Sequence, residues 1–230
     1  MFAMFAMAAL LTACGGKSAD SVADDAISQA EQEVQITENA FLGKLPSLYQ
    51  QMKAAEAKVN EHFKAEMGKS ESLQDMSRNG DEKKAAMNKV HKKYYELLET
   101  EAKALNGRVV KVSFDTDQIT DATAKLRYVE GEITADAEKD SYRLGEPLVI
   151  DAELTLAAKL SMQYGAAMNQ YHFRDAQGNN IEELAGESIK SDDPRAKAAA
   201  GEKITMELPH TPYKKDKATD VDNVWIGFLK

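Results

Sequence analysis

The sequence predicts an α+β protein, with an N-terminal helical hairpin region over residues 22–106 followed by an antiparallel β-sandwich over residues 107–230. Three observations predict it. Between Leu45 and Leu105 apolar residues recur every three to four positions, the period of a helix with one buried face. After Gly107 the period switches to two, the period of a strand with one wet face. Clusters of Gly, Asn and Asp separate the alternating stretches, as turns should.

The elements follow in order. Residues 1–13, MFAMFAMAALLTA, are uncharged and too short to span a bilayer, which takes roughly 20 apolar residues. They read as the apolar region of a signal peptide, although no charged segment precedes it. The run ends at Cys14, the one cysteine of the chain. Leu11-Thr12-Ala13-Cys14, followed by Gly15-Gly16, resembles the lipobox of bacterial lipoproteins. In that family the cysteine thiolate accepts a lipid and becomes the mature N-terminus. The resemblance implies that Cys14 is acylated and that an acyl anchor holds the protein to a membrane, at about 0.8 kcal/mol per buried CH₂. Gly15, where an aspartate would retain the protein in the inner membrane, resembles the enterobacterial outer-membrane signal. The alternative is an apolar N-terminal element with a buried free cysteine. Residues 14–21 are small and polar and read as a tether.

Val22, Ala26, Ala30 and Val34 have helical spacing in an acidic segment. Leu45, Leu48, Met52, Ala55, Val59 and Phe63 form a sharper stripe, with Pro46 in the first turn and Gly68 at its end. A polar loop is expected to Asn79-Gly80. Asp81 then caps a second helix with Met87, Val90, Tyr94, Leu97, Leu98 and Leu105 as its stripe, closed by Asn106-Gly107. Strands are expected at Val110–Phe114, Ala122–Tyr128, Leu148–Leu156, Tyr171–Arg174, Lys203–Leu208 and Val224–Leu229. Asp175 to Asn180 is turn chemistry that closes a hairpin onto a strand beginning at Ile181. Gly186 to Gly201 reads as a loop or one short helix. The β half resembles the immunoglobulin-like domains of bacterial envelope lipoproteins, in its strand spacing and in ITMELPHTPY before a last strand; that likeness implies architecture only.

Composition narrows the function. A formal charge of −9 and a pI near 5.1 leave no clustered positive surface to track phosphates, so nucleic acid is not an expected partner. The chain has no G-x-S-x-G elbow, no HExxH and no glycine-rich phosphate loop, and no cofactor is implied. His62 and His91 would approach each other if the two helices pair, and Asp115, Asp117 and Asp121 sit in an oxygen-rich loop without the glycine and distal glutamate of an EF-hand. Surface histidines and a solvated turn are the preferred readings of these two groups. The residues singled out for ligand contact are Trp225, Tyr171 and Tyr213. Trp225 has the opposite parity from Val224, Ile226 and Phe228, so it faces away from the core when they face inward. It is then either an exposed anchor for a partner or sugar, or covered by the helices. The expected function is a non-enzymatic binding or scaffolding module anchored in the envelope, meeting an envelope protein or a glycan. The alternative is an outer-membrane solute- or glycan-binding protein with an aromatic-lined concave site.

Overall fold

The computed structural model describes residues 17–136 and 141–229, so Cys14 and the leader lie outside the described residues. Three helices come first: α1 (Ala19–Glu33), α2 (Leu45–Met67) and α3 (Leu73–Ala104). Ten strands follow: β1 (Val109–Val110), β2 (Val112–Phe114), β3 (Ile119–Tyr128), β4 (Ile133–Asp136), β5 (Ser141–Leu144), β6 (Leu148–Leu156), β7 (Ala166–Arg174), β8 (Asn180–Lys190), β9 (Lys203–Leu208) and β10 (Asn223–Phe228).

The helical half is a three-helix packing rather than a hairpin, because α1 lies against both α2 and α3. Ser18 caps α1 by accepting a hydrogen bond from the Ser21 N–H, so the helix starts inside the segment expected to be tether. Lys89 reaches Asp24 at 2.9 Å and Lys58 reaches Glu33 at 2.7 Å, tying α1 to both neighbours.

The expected loop before Asp81 is mostly helix. Ser72 accepts from the Asp75 N–H at 3.1 Å and donates to the Asp75 carboxylate at 2.7 Å, which starts α3 at Leu73, seven residues before Gly80. Asn79-Gly80 looks like a turn only locally. Asn79 is buried and donates to the Ser70 hydroxyl at 2.9 Å, and a single glycine costs a long helix only about 1 kcal/mol.

The stripe on α3 runs through Ala86, Val90, Tyr94, Leu98, Ala102 and Leu105, all buried. Leu97, expected in that stripe, is 40% exposed, because it lies one residue, or roughly 100° of helix, off the buried line.

In the β half, one sheet has the order β1-β3-β6-β9 and the other β2-β10-β7-β8. Inward positions alternate as expected, with Leu126 opposite Ile150 and Ile150 opposite Leu208 in the first sheet, and Ile226 opposite Tyr171 in the second. All pairings are antiparallel except that of β2 with β10. The segment 186–201 is the second half of β8 and a single 3₁₀ turn at Pro194–Lys197. A separate two-stranded hairpin, β4–β5, leaves the first sheet and packs on α3.

The two halves share one continuous buried cluster. The connection between α1 and α2 supplies the plug. Phe41 and Leu42 are buried, and the Phe41 ring meets Phe173 of β7 edge-on at 5.8 Å. Asn39 holds the plug from both sides. Its Oδ1 accepts from the N–H groups of Phe41 and Leu42, and its Nδ2 donates to the carbonyls of Thr219 and Val221 at 2.8 and 2.7 Å. Gly43 has φ +57°, and a β-carbon there would stand 2.3 Å from the Glu101 carboxylate, which accepts from the Lys44 N–H instead.

Candidate functional site

The three aromatic residues singled out from sequence part company. Tyr171 is fully buried, because it occupies an inward position of β7 alongside Phe173, and its ring packs edge-on against that neighbour at 5.8 Å. Burial raises its phenol to about 12. Tyr213 is also fully buried. It donates to the Gly145 carbonyl at 2.8 Å and meets Tyr49 of α2 at 5.9 Å, and burial pushes its ionisation well up. Neither is available to a ligand; both belong to the core and to the seam between the halves.

Trp225 does face outward. On β10 it pairs laterally with Ser113 of β2 and His172 of β7, while its neighbours Val224 and Ile226 point to the core. It is half-buried, and what covers it is its own sheet rather than the helices. The indole lies along the strand over Gly227, where an added β-carbon would come within 2.5 Å of the ring. His172 meets it edge-on at 4.9 Å, and the Arg174 guanidinium stands 5.0 Å from its centre. Arg174 also donates to the Asn180 side chain at 3.0 Å, and His172 Nδ1 lies 3.4 Å from the Glu183 carboxylate. The result is a ridge of one indole, one imidazole and one guanidinium on the outer face of the second sheet, bordered by the amide and carboxylate of β8. Such a surface can stack on a flat or apolar group and offer hydrogen bonds beside it. His172 and Arg174 were not singled out from sequence; the signal that could have found them is their alternation with Tyr171 and Phe173 on β7, which gives them the outward parity of Trp225.

A broad concavity among the described residues lies elsewhere. It is a trough of about 1120 Å³ across the outer face of the first sheet, lined among others by Val109, Thr123, Lys125, Asp151, Glu153 and Glu207, with no aromatic residue in its walls. Its carboxylates are paired with neighbouring cations. Arg127 pairs with Asp151 at 2.9 Å and with Glu207, and Lys203 pairs with Glu153 at 2.6 Å. At one end Arg195 binds Glu187 and Asp193, each at 2.6 Å, and donates to the Thr205 carbonyl. These bonds, chiefly the one to Glu187, push the guanidinium further up, and Arg195 holds the Asp193 carboxyl down to about 2. Arg195 thus ties the 3₁₀ turn to β8 and β9.

The remaining titratable groups are scattered. His91 bonds Glu56 at 2.9 Å, stacks on Tyr95 at 5.4 Å and meets Tyr142 of β5, while His62 packs edge-on against its chain neighbour Phe63. Burial raises the Glu56 carboxyl, but hydrogen bonds from His91 and Lys53 outweigh it and leave the group below its usual value. Asp115 accepts from the Asp117 N–H at 3.0 Å within its own turn, and Asp121 lies in β3. Among the described residues no group of three or more His, Cys, Asp or Glu is arranged to hold a metal ion, and no helix is long and apolar enough to cross a membrane. Compared with known protein families, curated proteins and solved structures, the chain matches none.

Proposed function

We propose that the protein is a lipid-anchored envelope protein acting as a non-enzymatic binding or scaffolding module, held to the outer membrane through Cys14. The two packed sheets of its β half serve as an immunoglobulin-like scaffold at the level of architecture, since sandwiches of this kind share layers without sharing strand order. The observation that carries the reading is the outward Trp225 ridge. A large aromatic on a solvent-facing sheet surface, flanked by an arginine, has the composition of an interface anchor. A glycan-binding site would favour an aromatic-lined hollow; the trough on the first sheet is lined by threonines and paired charges instead.

Two measurements test this. The intact mass of protein taken from native membranes should correspond to a chain beginning at an acylated Cys14; an uncleaved Met1 or a free thiol would end the anchoring half of the reading. Trp225→Ala should weaken retention on envelope partners by about 2 kcal/mol or more. It should cost the fold less than the 3–5 kcal/mol of a fully buried aromatic, because the indole packs on one sheet face only. Unchanged retention beside an equally mild melt would remove the ridge from consideration.

A further inference from the structure

All six arginines of the chain lie in the described residues, and five of them hold a carboxylate. Arg78, Arg108, Arg127, Arg143 and Arg195 each meet an Asp or Glu side chain at 2.6 to 3.6 Å. Arg174, on the ridge beside Trp225, is the exception: among the described residues no carboxylate pairs with it. In a chain with 38 acidic residues against 29 basic ones, that difference has a local cause.

Acids are not scarce around it. Asp175 is its chain neighbour, Asp222 donates its backbone N–H to the Arg174 carbonyl at 2.8 Å, and Glu183 stands across from His172 on β8. Each of these carboxylates is held elsewhere. Asp175 closes its own turn, accepting from the N–H groups of Gln177 and Asn179 at 2.9 and 2.8 Å. Asp222 binds Lys111 at 2.5 Å, and Glu183 accepts from the Asn180 amide beside His172.

Arg174 is nonetheless held still. Its Nε donates to Asn180 Oδ1 at 3.0 Å, and its guanidinium stands over the Trp225 indole. The two terminal nitrogens form the fork that grips a carboxylate in a bidentate pair, and they have no acceptor among the described residues. A guanidinium already stacked and pinned loses little freedom when it takes a ligand. The surface around the fork is a ridge and not a hollow, with Ser113, Gln170 and Gly227 uncharged about the indole. A free small acid would find one gripping contact there. An acidic side chain in a protein segment would lay neighbouring apolar atoms along the indole as well. The net charge of −9 disfavours a run of acidic residues, so a single one fits.

We infer that the ridge recognises one Asp or Glu side chain of a protein partner, its carboxylate bound by the Arg174 fork and the adjoining apolar group lying on Trp225. The inference rests on the reading of the ridge as an interface anchor and adds what it anchors.

Trp225 is the only tryptophan of the chain, so its emission reports this site alone. The probes are acetyl-Leu-Glu-Leu-amide, acetyl-Leu-Gln-Leu-amide, sodium acetate and inorganic phosphate, each titrated into the full chain. The glutamate peptide should shift the emission saturably at millimolar concentration and bind about tenfold tighter than the other three. Arg174→Gln should remove that preference at unchanged melting temperature, while Lys125→Gln on the outer face of the first sheet should keep it. The peptide pair on the unaltered chain decides the matter without the variant. Equal binding of the two peptides, no shift with either, or a preference that survives Arg174→Gln overturns the inference. Acetate or phosphate binding as tightly as the glutamate peptide overturns it too, by making the fork a general anion site. None of these results touches the anchor reading, which fails separately when Trp225→Ala leaves retention on envelope partners unchanged.

Discussion

Phe41→Ala should lower the unfolding free energy by about 3–5 kcal/mol and shift a single urea transition to lower concentration. The ring is buried, yet it belongs to no helix or strand; it projects from the α1–α2 connection and meets Phe173 in the sheet. Removing it leaves a void lined on one side by the bundle and on the other by β7. The rigid loop, fastened by Asn39 to its own backbone and to the carbonyls of Thr219 and Val221, cannot collapse to fill that void. Because the buried cluster runs without a break through both halves, secondary-structure and tryptophan signals should move together. Two separated transitions in the variant would show that the halves are independent units and that the plug is peripheral.

Leu98→Ala should cost about 2–5 kcal/mol, while Leu97→Ala should change stability by no more than about 0.5. The two residues are identical and adjacent, and they differ only in the direction they face. Leu98 is wholly buried, and Leu97 lies at the edge of the packed face, 40% exposed. Urea melts of the two variants therefore measure the rotational phase of α3. Equal losses would mean that the helix is turned from the orientation described.

Periodicity made most of the fold legible. The strand positions Leu126, Ile150, Met206 and Ile226 alternate inward as their spacing requires, because a half-buried sheet leaves no other face for them. What escaped were features decided by tertiary contact. Asn79-Gly80 has the chemistry of a turn, but the buried bond from Asn79 to Ser70 keeps it helical. The β4–β5 hairpin has little alternation of its own and acquires its partner surface from α3. At the candidate site, parity identified the outward Trp225, and the same rule applied to β7 gives its companions His172 and Arg174. Parity also places Tyr171 beside Phe173 in the core. Tyr213 lies in an irregular segment with no period to orient it, and only the fold reveals that it bonds the Gly145 carbonyl.

The parallel pairing of β2 with β10 sets the order in which this chain can be completed. Val112 lies beside Val224, more than a hundred residues away, and β10 occupies the slot between β2 and β7. A chain delivered N-terminus first can close its three helices from local contacts, but the second sheet has a gap in its middle until β10 arrives. During that interval β2 and β7 each present an open row of backbone donors and acceptors, the most association-prone surface the molecule ever shows. The final strand therefore acts as a keystone: its arrival both finishes the core and withdraws two sticky edges at once.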